Sequence, residues 1–302
     1  MPVTSVLQNK KLNYYSYVKK VIIIIILLFI IIVALLWLWN NYFLWQKNSG
    51  YLADYELIDG PVRIADNAGQ SSGLTFDASL NQLYVIVNSP QQIHRLNASG
   101  EYLSSVDLKG FTDTEGIAFL GNEQFVLVDE REGIISWFTM NLETKTIEFK
   151  PDQSIKIFPH NVGNIGLEGI TYDRQSKQLF VVKDRKPKKI YALQWPVSDI
   201  KQPVINTPWN AEEHPWWLVR NFSGIHYHKE SGHLFILSRR SRTIIEYTLS
   251  GQKVGSFSLK SGSAKLQQTI GKAEGIVIAS NGTLYLCAEL NQLYIFKKRT
   301  NY

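Results

Sequence analysis

The chain has 302 residues, of which 45% are hydrophobic and 12% aromatic, enough for one large domain with a sizeable core and a short appendage. Its formal charge of +6 arises mostly from four lysines in the first 45 residues, which contain no acid, and the remainder carries 28 basic and 26 acidic residues. A nearly neutral domain without a basic stripe argues against a nucleic-acid partner. The single cysteine, Cys287, excludes an internal disulfide, and its apolar surroundings in the sequence predict a buried, unreactive thiol.

The first element is an uninterrupted apolar stretch at residues 21–39. As a helix it would span about 28 Å, close to the roughly 30 Å hydrocarbon core of a bilayer. Lys19 and Lys20 precede it and tryptophans cluster at its end, so the positive-inside rule predicts a cytoplasmic N-terminus. A cleaved signal peptide is the alternative, although no small-residue cleavage site follows the stretch. We therefore expect four regions: a cytoplasmic segment (1–20), a single transmembrane helix (21–39), a tether (40–53) and an extracytoplasmic domain (54–302).

A short phrase recurs five times in the large domain: a glutamate or serine, then glycine, then isoleucine or leucine. Its glycines lie 43 to 55 residues apart, at Gly73, Gly116, Gly169, Gly224 and Gly275. Each phrase opens a run of β-forming residues, and a second apolar run follows it. A period of this length with several short strands per unit is typical of a β-propeller. The sequence therefore predicts an all-β fold, a five-bladed β-propeller with four-stranded blades.

The strand count in each repeat predicts how the ring closes. The first and fourth repeats contain four strand-like runs, whereas the fifth contains three before the sequence ends. A further strand-like run at 55–64 precedes the first repeat. We expect this N-terminal strand to pair as the outer strand of the last blade, which would remove an open sheet edge. Four prolines between Pro196 and Pro215 disfavour a central strand there and predict a surface insertion or a blade edge.

Two aligned positions place acidic residues around the predicted channel. One position, before each repeated glycine, holds Ser72, Glu115, Glu168, Ser223 and Glu274. The other, at the end of each second strand, holds Asn88, Asp129, Asp184, Arg239 and Glu289. Converging carboxylates are costly unless a cation or protons accompany them, and oxygen ligands in an irregular cage favour Ca²⁺ over Mg²⁺. We predict a Ca²⁺ site with three primary ligands, Glu115, Glu168 and Glu274, and three secondary ones, Asp129, Asp184 and Glu289.

The alternative for the same residues is structural. The carboxylates would then cap backbone amides or pair with cations around the channel, with Arg239 as one such partner.

The repeated phrases resemble those of the SdiA-regulated (YjiK-like) family of bacterial extracytoplasmic proteins. The resemblance covers residues 50–300 and is carried by four stretches, Gly73–Asp77, Thr114–Ala118, Leu167–Asp173 and Ala273–Ile276. It implies a five-bladed propeller with bound calcium and no established activity. Together with the predicted anchor and its orientation, it implies a location in the bacterial inner membrane, with the propeller in the periplasm. The serines at 72 and 223 mean that not every blade supplies a carboxylate.

Three functions remain open from the sequence. The first is a membrane-anchored, calcium-binding propeller that acts as an extracytoplasmic binding or scaffold module for an unknown small-molecule or protein ligand. The second is a Ca²⁺-dependent hydrolase of lactones or phosphoesters, with Asp184, Asp129 or His226 as the candidate general base. The third is a structural domain without a metal.

Three weaker signals remain, each with a bland alternative. A transition-metal site could be formed by His226, His228 and His233, with His214 upstream, although His226 aligns with small residues expected to pack between blades. An aromatic surface could be formed by Trp209, Trp216 and Trp217, although packing against the propeller is favoured. The basic run Lys183–Lys189 would suit an anionic partner or be a solvated loop.

Overall fold

The computed structural model describes residues 3–46, 48–65, 69–157, 166–184, 187–197, 204–208 and 219–300. The chain divides into two compact units, Met1–Gln46 and Lys47–Tyr302.

The first unit is a single helix, α1 (Val3–Gln46), which extends beyond the predicted span at both ends. Its segment Tyr17–Trp39 has a mean hydropathy of 3.7, and none of it is buried within the protein. Within Tyr17–Trp39, aliphatic and aromatic side chains are exposed on all sides of the helix, so this segment lacks the polar face of a surface helix in a soluble protein. Its length and composition suit a membrane span or a signal sequence.

The second unit contains five antiparallel blades, which confirms the predicted fold. The strands of each blade run, from the innermost outward, in the following order. Blade 1 is β2 (Ser71–Asp77), β3 (Gln82–Asn88), β4 (Gln91–Asn97) and β5 (Tyr102–Lys109); blade 2 is β6 (Thr114–Gly121), β7 (Gln124–Asp129), β8 (Ile134–Thr139) and β10 (Ser154–Lys156); blade 3 is β11 (Leu167–Asp173), β12 (Gln178–Lys183), β13 (Lys189–Gln194) and β14 (Ile205–Asn206); blade 4 is β15 (Gly224–His228), β16 (His233–Ser238), β17 (Thr243–Tyr247) and β18 (Lys253–Ser258); blade 5 is β19 (Ala273–Ile278), β20 (Leu284–Ala288), β21 (Gln292–Lys298) and β1 (Tyr55–Arg63).

Two details depart from a regular four-stranded pattern. A short strand, β9 (Thr146–Glu148), pairs in parallel with β5, so blade 1 has a fifth strand supplied by the connection within blade 2. The outer strand of blade 3, β14, comes from the proline-rich stretch, as expected for a blade edge. Among the described residues, short helical turns lie at Gly50–Leu52 and Pro151–Gln153.

The ring closes through the N-terminal strand, as the sequence predicts. β1 pairs antiparallel with β21, from Tyr55 opposite Lys298 to Arg63 opposite Gln292. Tyr55 is buried, and its hydroxyl donates a hydrogen bond to the carbonyl of Gly282 at 2.7 Å. The residues just before β1 also belong to this unit, because Ser49 donates to the carbonyl of Ser256 at 2.8 Å.

The five repeated glycines form a ring around the channel. A Cβ on Gly116 would lie 2.7 Å from the amide nitrogen of Ile170 and 2.9 Å from the Cα of Gly169. The same relation links Gly73 to blade 2, Gly169 to blade 4, Gly224 to blade 5 and Gly275 back to blade 1. Glycine is therefore required because neighbouring backbones meet here. The five inner strands consequently run side by side in the same direction along the channel.

Side chains two residues after the glycines join neighbouring blades. The hydroxyl of Thr75 accepts a hydrogen bond from the amide of Phe119 at 3.1 Å, and that of Thr171 accepts one from Tyr227 at 3.0 Å. Apolar clusters fill the wedges between successive blades, for example between blades 1 and 2 and between blades 4 and 5. Cys287 is fully buried in the cluster between blades 5 and 1, as predicted, and burial raises the pKa of its thiol.

Candidate functional site

A β-bulge precedes each of four repeated glycines and aims the neighbouring side chain at one end of the channel. The strand register shifts between Ser71 and Gly73, Thr114 and Ile117, Leu167 and Gly169, and Ala273 and Gly275. In blades 1, 3 and 5 the residue at the shift is the one that the sequence aligns before the glycine, and in blade 2 the shift covers both Glu115 and Gly116. Bulges bend a strand and redirect a side chain, which explains why a serine or glutamate can leave the blade interior at this point.

The three predicted primary ligands meet at this end of the channel, which we call the acidic end. Glu168 and Glu274 are 8% and 5% exposed, and Glu115 is partly exposed. Burial raises the pKa of the Glu115 carboxyl well above its ordinary value, and the negative charges of Glu168 and Glu274 raise it further. Burial raises the pKa of Glu168 to about 8 and that of Glu274 to about 7. In the absence of a cation, the Glu168 carboxyl is therefore mostly protonated at neutral pH.

Two further acids join Glu115 in blade 2, and sequence alignment of the repeats did not identify them. Ligand oxygens of Asp113, Glu115 and Glu130 all lie within 4.8 Å of one another. Asp113 lies two residues before Glu115, the first residue of the repeated phrase, and Glu130 directly follows the end of β7. The amide of Glu130 donates to the carbonyl of Asp113 at 2.8 Å, which brings the two loops together. Carboxylate oxygens at this spacing match the ligands of a hard cation.

Asn88 ties this cluster to blade 1. Its side-chain amide donates to Asp113 Oδ1 at 2.7 Å and to Glu115 Oε1 at 3.3 Å. In blade 1, the aligned position at the end of the second strand therefore contributes a neutral hydrogen-bond donor to the site.

Asp129, a predicted secondary ligand, holds the loops that carry the cluster. Its carboxylate accepts hydrogen bonds from the amide and hydroxyl of Thr112, at 2.6 and 2.8 Å, and from the amides of Asp113 and Glu132, at 3.2 and 3.3 Å. Both oxygens are thus engaged with the loop backbone. This is the amide-capping role that the sequence left open as the alternative.

The other predicted residues at the ends of the second strands have cationic or amide partners. Arg239 forms an ion pair with Glu274, as expected if these residues have a structural role. Glu289 pairs with Lys272. Asp184 accepts a hydrogen bond from the amide of Phe222 at 2.9 Å, and burial raises the pKa of its carboxyl. The acidic end therefore has two parts, a carboxylate cluster around blade 2 and an arginine–glutamate pair between blades 4 and 5.

Comparison with known proteins supports the family suggested by the sequence. A family model described as SdiA-regulated matches residues 47–297. The chain belongs to the SdiA-regulated family. The match begins at the compact unit that contains the propeller and leaves out α1.

The SdiA-regulated propeller is also similar to solved structures. A luciferin-regenerating enzyme aligns with a TM-score of 0.50 and 12% identity, over 80% of this chain and 94% of that chain. A gluconolactonase from Xanthomonas campestris aligns with a TM-score of 0.50 and 13% identity, over 84% of this chain and 94% of that chain. At these identities the likeness concerns the fold alone.

The remaining candidate residues of this SdiA-regulated protein lie away from the acidic end. His226 lines a cavity at the other end of the inner strands. His228 contacts Ser231 and Glu230, at 3.0 and 2.9 Å, and His233 contacts Glu246 at 2.7 Å. Among the described residues the acidic cluster of blade 2 is the grouping suited to a metal, and no histidine belongs to it. His214, Trp209, Trp216 and Trp217 lie outside the described residues.

The basic run after β12 differs from the solvated loop that the sequence favoured. Lys183 and Lys188 are buried, and they donate to the carbonyls of Pro187 and Val219, at 3.3 and 2.5 Å. Their long apolar stems pack inside while the ammonium groups reach backbone oxygens. Arg185 and Lys186, in the same run, lie outside the described residues.

Proposed function

We propose that this protein is a membrane-anchored, extracytoplasmic binding module whose propeller holds a Ca²⁺ ion at the acidic end of the channel. The observation that carries the proposal is the convergence of Asp113, Glu115 and Glu130 within 4.8 Å, next to the buried Glu168. Like charges this close and this buried oppose folding unless a cation or bound protons offset them.

The ligand set differs from that predicted from the repeats alone. Asp113, Glu115 and Glu130 would hold the ion, with Glu168 from the next blade completing the cage. Asp129 would support the ion site indirectly, by orienting the loops that carry Asp113 and Glu130. Glu274 keeps Arg239 as its ion-pair partner. Asp184 and Glu289 would contribute only to the negative electrostatic potential around the ion. Several carboxylates on separate loops suit the large, flexible coordination of Ca²⁺ better than the octahedron of Mg²⁺.

The proposed location follows from α1. A stretch as long and apolar as Tyr17–Trp39 matches the bilayer core, and the lysines before it favour a cytoplasmic N-terminus. The propeller would then face the periplasm, where a weak calcium affinity is sufficient.

The test is calcium-dependent stabilisation of the full chain in nanodiscs. After treatment with a chelator, adding Ca²⁺ should raise the melting temperature of the propeller by about 5 °C or more at saturation. Metal analysis of the saturated protein should find one ion for each chain. Glu115→Gln should abolish most of the shift, whereas Glu148→Gln, which removes an exposed acid on β9, should retain it. No shift in the wild type would overturn the proposal, as would equal shifts in both variants.

A hydrolase of lactones or phosphoesters is the second candidate. It is favoured by the likeness to the gluconolactonase fold and by the acidic end itself, where a Ca²⁺ ion held by the carboxylates would polarise a carbonyl or phosphoryl oxygen of the substrate. A panel of lactones and phosphoesters, assayed with Ca²⁺ and with chelator, tests it. Activity that needs Ca²⁺ and is lost in Glu168→Gln would support an enzyme, and rates equal to buffer would exclude these substrates.

A further inference from the structure

The end of the channel opposite the acidic end opens into a cavity of about 610 Å³. All five blades contribute to it through the C-terminal parts of their inner strands. Its apolar lining includes the five aliphatic residues that follow the repeated glycines, Leu74, Ile117, Ile170, Ile225 and Ile276. Three half-buried aromatic rings, those of Phe76, Phe119 and Tyr172, stand above them. The volume falls within the range of small-molecule sites in proteins, roughly 300–1,000 Å³.

One repeated position, five residues after each glycine, contributes a residue from every blade to the rim of this cavity, where Asp77, Ser79, Asn122 and Gln175 also lie. In blade order it holds Ala78, Gly121, Arg174, Lys229 and Ser280, all of which line the cavity. The two cations belong to neighbouring blades, 3 and 4, and the other three residues are small. The rim is therefore positive on one side and open on the other. This is the reverse of the acidic end, where the position before each glycine holds acids or serines.

Arg174 is held over the mouth of the cavity by its contacts with blade 2. Its guanidinium lies 5.9 Å from the centre of the Phe119 ring, a cation–π arrangement. It also covers Gly121, where an added Cβ would lie 2.6 Å from Nη2. The absence of a side chain at Gly121 thus makes room for the guanidinium. A cation positioned beforehand loses less conformational entropy when it binds an anion.

The carboxylates nearest this rim are engaged with their own turns. Asp77 accepts hydrogen bonds from the amide and hydroxyl of Ser79, at 2.8 and 2.6 Å. Asp173 accepts from the amide of Gln175 at 2.9 Å and from the hydroxyl of Ser176 at 2.5 Å. Within the described part of the chain, neither Arg174 nor Lys229 forms an ion pair. The positive charge at the mouth is therefore available to a ligand.

We propose that this cavity binds a small organic anion with an apolar ring body. The ring system would stack on the aromatic lining and fill the aliphatic floor, and its carboxylate, sulfonate or phosphate group would reach Arg174 and Lys229. Arg174 supplies a planar fork that matches such an oxyanion. The site lies at the other end of the channel from the proposed Ca²⁺ site and does not depend on it.

The test uses 2-naphthalenesulfonate as the probe and the neutral naphthalene-2-sulfonamide as its matched control. Both are titrated by calorimetry into the full chain in nanodiscs, with chelator present and with empty nanodiscs as the blank. The variants are Arg174→Gln and Lys229→Gln. Lys109→Gln, an exposed cation removed from the outer strand of blade 1, controls for net charge. All three positions are exposed, and the melting temperature of each variant confirms that it folds.

We expect the sulfonate to bind with one-to-one stoichiometry and the sulfonamide to bind about tenfold more weakly, as the loss of a charge-assisted contact predicts. Arg174→Gln should weaken the sulfonate about tenfold and leave the sulfonamide unchanged, whereas Lys109→Gln should change neither. The proposal is overturned if the sulfonate shows no saturable binding. Equal affinities for the two probes, or an equal loss in Lys109→Gln, would also overturn it.

Discussion

At the residue scale, each position relative to the repeated glycine has its own physical role. The glycine permits backbone contact between blades, the residue before it enters the channel, and the residue two places after it joins the next blade. These roles depend on individual contacts rather than on overall hydrophobicity. They can therefore be tested with single substitutions that add a methyl group or remove a titratable side chain.

Gly116→Ala should destabilise the propeller by about 2–3 kcal/mol, because its Cβ would lie against backbone atoms of blade 3 that cannot rotate away. Gly271→Ala is the matched control, since an added Cβ there has no neighbour within 4 Å. Urea unfolding of both variants measures the difference. Equal stabilities would show that the blades can separate at the ring and would contradict the close-contact argument.

His226 makes the stability of the propeller sensitive to acid. Burial lowers the pKa of His226 to about 3, and the neighbouring His228 contributes the smaller part of this decrease. The His226 ring also forms a hydrogen bond with the backbone of Ile278. The folded protein favours the neutral form of His226. The stability that depends on this neutral ring is therefore fully present above the ordinary pKa of about 6.5, and it is lost as the pH falls toward about 3. By about pH 5 the loss reaches about 2 kcal/mol.

His226→Thr should remove this part of the acid sensitivity, because threonine already makes the equivalent bridge in blades 1 and 3. Urea unfolding at about pH 7.5 and about pH 5 gives the stability change for wild type and variant. The variant should lose about 2 kcal/mol less than the wild type. Identical losses would mean that other groups, such as His228, account for the acid sensitivity.

The sequence predicted the residues before the glycines because the repeats align there without gaps. It missed Asp113 and Glu130, since they lie in loops whose conformation is set by Asp129 rather than by the strand pattern. It could not decide between a ligand and a cap for Asp129. That choice depends on four donors within hydrogen-bond distance, which only the folded loops bring together.

At the element scale, alternating apolar runs and turn residues were sufficient to locate most strands and the closing strand β1. The bulges before the glycines were not predictable from the pattern, because a bulge changes strand register by one residue without changing composition. The parallel strand β9 was also missed. It is three residues long and takes its stability from the edge of a neighbouring blade rather than from its own sequence.

Tyr55→Ala should destabilise the whole propeller, because β1 completes the last blade through a buried side chain. The substitution removes a large ring from the cluster between blades 4 and 5 and the hydrogen bond to Gly282. We expect a loss of about 3 kcal/mol or more. In contrast, Ile58→Ala on the same strand, where the side chain is 51% exposed, should cost less than about 1 kcal/mol. Urea unfolding compares the two, and similar small losses would show that closure by β1 is dispensable.

At the scale of the whole molecule, the repeat produces a channel whose two ends differ in charge. Three of the five inner strands present a glutamate where they begin, and all five line a cavity with a cationic rim where they end. A propeller achieves this without a second domain because equivalent positions of all blades lie at the same height along the axis. The two proposed sites can therefore be tested independently, by cation titration at one end and anion titration at the other.

The proposed orientation of the anchor can be tested with cysteine labelling, because the natural thiol of Cys287 is fully buried and should not react in the folded protein. Lys150→Cys places a thiol at an exposed position of the propeller, and Gln8→Cys places one before the apolar stretch. In intact spheroplasts, a membrane-impermeant maleimide should label Lys150→Cys and spare Gln8→Cys, which should react only after the membrane is opened. The opposite pattern would place the propeller in the cytoplasm, because the thiol that reacts first marks the side exposed to the reagent.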